Sequence, residues 1–160
     1  MEETTIKQAI RLSIDNFIKP FEGYEKRLPD GRCMAYPDPG TGGHPWTIGY
    51  GTTGPDIVPG LIWSHEKAEL ALINHVIYFT TGVLELSPGL VEEPPRRLAA
   101  IISFAYNCGL GNYRISTLRK RVNEKDWDGA AREIVKWNKA AGRVLRGLTR
   151  RRQAEAAFLL

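Results

Sequence analysis

The stretch from residue 24 to residue 63 constrains the fold most, because there the chain abandons helical periodicity for glycine, proline and aromatic residues. Short extended runs around Cys33–Pro37 and Trp46–Tyr50 are separated by the turn signals Pro37-Asp38-Pro39-Gly40 and Gly42-Gly43. A small β-hairpin lobe is expected. Before it, Ile6, Ile10, Ile14, Phe17 and Ile18 recur at steps of three and four, which predicts an amphipathic helix over 5–19. Pro20 should kink or end that helix, since it lacks the N–H and crowds the preceding turn. Glu22-Gly23 then falls at a helix end, where the negative end of the dipole suits an acid that must hold its proton.

From Ser64 onward helices are expected. Ser64 is a natural N-cap with Glu66 in the first turn, and residues 65–86 carry Leu70, Ile73, Ile77 and Leu84 at helical spacing. Ser87-Pro88-Gly89 breaks that helix. Pro95 opens another, with Leu98, Ile101, Ile102, Ala105 and Tyr106 on its buried side and Gly109 closing it. Shorter helices follow at Ser116–Asn123, Trp127–Asn138 and Leu148 to the end. The fold class is therefore α+β, a small β-hairpin lobe plus a mainly helical lobe with a cleft between them as the natural ligand site. The 160 residues fit a single domain, 1–160.

Several function classes drop out on composition. The longest nearly apolar run, Leu98–Tyr106, is nine residues, against about 20 needed to cross a bilayer. The acidic start Met-Glu-Glu-Thr-Thr is unlike a secretory signal. Synthesis in the cytoplasm, with delivery by another factor, is the expectation. His44, His65 and His75 lack metal-ligand spacing, so no metal is expected. Cys33 and Cys108 are too few for a disulfide framework; buried thiols are expected, with a Cys33–Cys108 bond as the alternative. Residues 132–152 hold eight Lys/Arg and one acid, Glu133. Such a basic patch can meet an anionic polymer or be a solvated face. Without interleaved aromatics or a motif, it does not indicate nucleic acid.

Glycoside cleavage usually takes two carboxyl groups, a protonated acid for the leaving oxygen and a carboxylate that positions water or attacks. Glu22 at a helix end and Asp38 in a polar turn have the contrasting environments that split those roles. Thr47 is placed to face back toward Asp38 with its hydroxyl on a water. Gly49 and Gly51, in what reads as a strand, signal close approach of a ligand or backbone.

These residues resemble a known family. Glu22-Gly23, then Ala35-Tyr36-Pro37-Asp38, then Thr47-Ile48-Gly49-Tyr50-Gly51 are similar to the active-site signature of phage-type lysozymes, glycoside hydrolase family 24. The likeness continues through Ser103–Gly111, Ser116-Thr117-Leu118, Trp137–Ala140 and Gly147–Glu155, in the family's order. It implies a lysozyme-like fold and cofactor-free hydrolysis of the β-1,4 bond between N-acetylmuramic acid and N-acetylglucosamine in bacterial peptidoglycan. Glu22, Asp38 and Thr47 would be catalytic, and Tyr106, Asn107 and Thr117 would touch the glycan. A monomeric endolysin is implied, acting on the cell wall to lyse the host, with the basic C-terminal helices as a possible envelope contact. It also places an arginine beside the catalytic acid. Arg150–Arg152, about 100° apart on a helix, cannot all face water. One should point inward and pair near Glu22 while Ala154, Ala157 and Phe158 pack. Residues 25–33 and the Gly42–Pro45 turn lengthen the family's spacings, and Thr52 stands where many relatives carry His. Alternatives are a lytic transglycosylase, which needs one Glu and no water, and a catalytically idle envelope-binding module.

Overall fold

The computed structural model describes residues 1–39 and 41–160. In chain order its elements are α1 (Glu2–Ser13), a π-helical turn (Ile14–Ile18), α2 (Lys19–Glu22), β1 (Cys33–Met34), β2 (Thr47–Ile48), β3 (Thr52–Thr53) and β4 (Ile62–Trp63). Then come α3 (His65–Leu86), a 3₁₀ turn (Pro88–Glu92), α4 (Pro95–Cys108), α5 (Leu110–Ile115), α6 (Thr117–Asn123), α7 (Trp127–Ile134), β5 (Lys139–Ala140), β6 (Arg143–Val144) and α8 (Arg146–Leu159). The α+β class holds. The chain forms two compact units, Met1–Phe21 with Val76–Leu160, and Glu22–His75.

The first unit is built on α4. Every residue from Leu98 to Ala105 is buried, and a helix apolar all round belongs at the centre of a core. α1 and α8 are its main neighbours. The first helix does not stop at Pro20. A π-helical turn precedes it, and the Lys19 N–H reaches back to the Ile14 carbonyl. That local change in hydrogen bonding admits the proline, so the helical path continues to Glu22.

α8 corrects the expected packing. Arg151, Arg152, Glu155 and Leu159 are its buried residues, while Ala157 is exposed and Phe158 rests half-buried edge-on to Phe17 at 4.7 Å. Two arginines turn inward rather than one. Within this unit their carboxylate is Glu155. The Arg152 Nε lies 2.7 Å from Glu155 Oε1, an ion pair not aligned as a hydrogen bond, and its Nη2 donates to Oε2 at 3.2 Å. Arg151 Nε stands 3.5 Å from the same Oε2, and its Nη2 donates to the Ser103 carbonyl at 3.2 Å. Ser103 Oγ donates to Glu155 Oε2 at 2.5 Å. Burial pushes the Glu155 carboxyl above the ordinary carboxylate range, opposed by the two guanidiniums and Ser103.

α3 has the predicted period but another phase. Ala68, Leu72, Val76, Thr80 and Val83 are buried, whereas Leu70, Ile73 and Ile77 are exposed. Thr80 tolerates burial because its hydroxyl donates to the Val76 carbonyl at 2.7 Å. Ser64 caps the helix as expected, accepting the Lys67 N–H at 3.1 Å. α7 ends at Ile134, earlier than predicted, as Lys136 and Trp137 tighten into bonds to residues three back and the Trp137 ring meets Phe104 edge-on at 5.4 Å. The β5–β6 hairpin, turning at Ala141 and Gly142, was not anticipated, nor was α5. Both cysteines are free thiols, Cys33 buried and Cys108 half-buried.

In the second unit, β1 pairs with β4 and β2 with β3, both antiparallel. The hairpin expected between 33–37 and 46–50 survives as one bridge, Tyr36 to Thr47, with reciprocal hydrogen bonds of 2.9 Å. Ala35, Ile48, Ile57, Trp63, Ala68 and Leu72 form its small core. Among the described residues no helix is long and apolar enough to cross a membrane.

Removing Glu155 takes away the carboxylate that both buried guanidiniums face. Glu155→Ala should lower unfolding stability by about 3–5 kcal/mol, read from urea denaturation; a loss under 1 kcal/mol would deny the cluster its structural weight.

Candidate active site

Glu22, Asp38 and Thr47 line one cavity of about 660 Å³ within the second unit, together with Glu25, Lys26, Tyr36, Pro45, Gly51 and Thr53. Each reaches it by a different local device. Glu22 is the last residue of α2, where Gly23 turns the chain away with φ +74°. Asp38 organises its own loop: its N–H donates to the Gly43 carbonyl at 2.9 Å, and its Oδ2 accepts the Thr41 N–H at 3.0 Å. Oδ1 has no partner among the described residues. Thr47 opens β2, held by the bridge to Tyr36, and its hydroxyl donates to the Pro45 carbonyl at 3.4 Å.

The two glycines are the turn between β2 and β3 rather than strand interior, and both have positive φ, +64° at Gly49 and +92° at Gly51. Their expected close approaches are real. A side chain on Gly51 would begin 3.5 Å from the Glu22 carboxylate, and one on Gly49 would meet the Ala68 methyl at 3.1 Å. Bare backbone therefore walls the cavity beside Glu22.

Tyr36 was not singled out beyond its place in the Ala-Tyr-x-Asp motif. Burial, and then the charges of Glu25, Glu22 and Asp38, hold its hydroxyl proton above the ordinary tyrosine range. Below the turn, Tyr50 donates to Glu69 Oε1 at 3.0 Å, and burial with that bond pushes its hydroxyl up to about 12. Tyr24 packs on Tyr50 and on His65, with ring centroids 5.0 and 5.5 Å apart. Its own hydroxyl is pushed well up by burial and Cys33.

The three other predicted site residues lie in the first unit. Tyr106, near the end of α4, is tilted against Phe79 at 5.4 Å. Asn107 accepts a hydrogen bond from Arg152 at 2.9 Å. Thr117 is the exposed first residue of α6, behind its N-cap Ser116. No cluster of three or more His, Cys, Asp or Glu suited to a metal occurs among the described residues.

A family model for phage lysozyme matches residues 20–155. The chain belongs to the phage lysozyme family. It is 40% identical over 145 residues to an endolysin of Bacillus phage B103, covering 91% of this chain and 51% of that protein. The chain thus spans about half the length of the curated relatives it matches first. Among solved structures, an endolysin from Escherichia coli O157:H7 phage FAHEc1 superposes with TM-score 0.73 at 30% identity, over 96% of this chain and 91% of that one. The muramidase domain of SpmX from Asticaccaulis excentricus gives TM-score 0.69 at 28% identity, over 95% and 94%. The family match includes Glu22, Asp38 and Thr47 in its span.

Gly49→Ala puts a methyl into a left-handed position already in contact with Ala68. It should cost about 1–3 kcal/mol of stability and, by shifting the turn, depress activity. A variant as stable and active as its parent would mean that the turn relaxes freely.

Proposed function

We propose that this phage lysozyme domain is a muramidase, hydrolysing the β-1,4 bond between N-acetylmuramic acid and N-acetylglucosamine in peptidoglycan. The cavity that gathers Glu22, Asp38 and Thr47 carries the reading. The Glu22 carboxyl protonates the glycosidic oxygen as the bond to the anomeric carbon breaks. Oδ1 of Asp38 and the Thr47 hydroxyl hold the water that replaces the leaving sugar, and the water's proton passes to Asp38. Tyr106, Asn107 and Thr117 are proposed contacts to the glycan. Residues 1–160 act as one catalytic domain, monomeric and cofactor-free, working on the cell wall and lysing the cell. The names of its relatives, endolysin and muramidase, support the action on the cell wall.

Mass spectrometry of digested peptidoglycan tests the reaction. Reducing muramic ends are expected; anhydro ends would make it a lytic transglycosylase, and no fragments an idle module. Glu22→Gln keeps the shape without the proton and should lower the rate by ~10²–10⁴ on a folded protein. Lysis within tenfold of the parent would remove Glu22 as the acid. Asp38→Asn should lose more than Thr47→Ala, because a charge is lost in one and only orientation in the other; the reverse order would invert their roles.

Of the eight basic residues in 132–152, Arg151 and Arg152 are committed to the interior, while Arg132, Lys136, Lys139, Arg143, Arg146 and Arg150 stay exposed. These six are proposed to draw the domain to the anionic envelope. The attraction acts over about 8–10 Å at physiological ionic strength. Lysis of permeabilised cells should fall as salt rises, while cleavage of a small soluble muramyl substrate holds steady. Lys136→Glu, Lys139→Glu and Arg143→Glu together should abolish that sensitivity; undiminished lysis at low salt would leave the patch as plain surface.

A further inference from the structure

A second cavity, of about 380 Å³, lies wholly within the second unit, where Thr52, Thr53, Asp56, Ile57, Trp63 and Lys67 line it. Thr53 lines the Glu22 cavity as well, and in the β2–β3 pair it stands directly opposite Thr47. The two hollows thus share a wall. Residues 54–57 make a tight turn, the Ile57 N–H donating to the Gly54 carbonyl at 3.1 Å with Pro55 at the corner, and that turn fixes where Asp56 stands. Trp63 is buried in β4, and the Lys67 ammonium lies over its ring, 5.3 Å from the centre. A cation–π contact of this kind holds the charge in place.

The polar groups around this cavity are left over by the fold. Asp56 has no hydrogen bond or ion pair, and Lys67 has no carboxylate, among the described residues. The Thr52 hydroxyl and the Trp63 indole N–H also lack partners there, and neither atom is sealed from solvent. One cavity therefore borders an anion and a cation that do not pair with each other, together with two further groups able to donate. Opposite charges kept apart around a hollow suit a ligand that carries both signs.

We propose that this cavity recognises the zwitterionic end of an amino acid, Asp56 pairing with its ammonium and Lys67 with its carboxylate, the latter aided by Trp63 and Thr52. Peptidoglycan offers such a group. Its stem peptide contains a diamino acid whose side chain, until cross-linked, can end in an ammonium and a carboxylate on one carbon. Cross-linking turns that ammonium into an amide and removes its charge, so the pocket favours stems that are not yet cross-linked. The stem hangs from muramic acid, the sugar at the bond to be cut, and a pocket walled by Thr53 adjoins the cavity that would hold that bond. This deepens the muramidase reading and rests on it for the source of the ligand.

Binding tests it separately from cleavage. Calorimetric titrations on the Glu22→Gln background would use soluble glycan strands with un-cross-linked diaminopimelate stems, the same strands with that ammonium acetylated, and strands with lysine in its place, which keeps an ammonium but no carboxylate. On the diaminopimelate strands, Asp56→Asn and Lys67→Met should each weaken binding about two- to fivefold. Both side chains are exposed, so thermal melts should stay near the parent's. The Asp56→Asn loss should vanish on acetylated strands and persist on lysine strands; the Lys67→Met loss should do the reverse. Either variant binding diaminopimelate strands as well as its background would overturn the proposal, as would a loss undiminished on strands lacking the matching group. Free diaminopimelate should bind far more weakly than the strands; equal affinity would make this a free amino-acid site and overturn the assignment to the stem. A background protein that binds free diaminopimelate but no strand would sink the muramidase reading and leave the zwitterion pocket standing, whereas one that binds neither would sink both.

Discussion

The first unit depends on a carboxylate in its interior. Glu155 is fully buried, and so are the two guanidiniums that face it. Moving an isolated ion of this size out of water costs several kcal/mol even after relaxation, so none of the three is tolerable alone. Together they oblige α4 and α8 to meet at one register, because Ser103 on α4 and Glu155 on α8 must come within hydrogen-bond reach. An all-apolar seam would tolerate sliding by a turn. A charged seam does not, and every position that α4 and α8 carry inherits that register.

The same cluster reaches the surface. Arg152 divides its donors among Glu155, Cys108 and Asn107. The core therefore sets the polarity of an amide at the surface without touching anything outside the protein. Two adjacent arginines thus turn inward where helix geometry alone asked for one.

Much of this was legible in the sequence where chemistry is local. Ser64, Pro95 and Gly109 mark their helix ends because caps act within one turn. Glu22, Asp38 and Thr47 were recognisable because their motif resembles a family's, and the fold does bring them to one cavity. What failed was whatever depends on a distant partner. The apolar residues of α3 gave its period but not its phase, since Ala68 rather than Leu70 is what the Gly49 turn allows in. Pro20 ends helices on average, but the π-helical turn before it changes the hydrogen bonding the proline must satisfy. Arg152 was one of three candidates for an inward arginine, but its partner Glu155 was not legible, because that pairing depends on how α8 packs.

The wall of the cavity beside Glu22 is backbone at Gly51, in a turn whose Gly49 lies close against the Ala68 methyl. Backbone has no rotamers to exchange. A wall of side chains can reshape itself around a sugar in its relaxed chair, whereas this one presents the same contour before and after a ligand arrives. Any misfit there must be taken up by the ligand, whose ring is the softer body. If the cavity takes a glycan as proposed, a rigid boundary next to Glu22 favours a flattened sugar ring over a relaxed one. On the proposed reading, Gly51 serves the reaction as a mould.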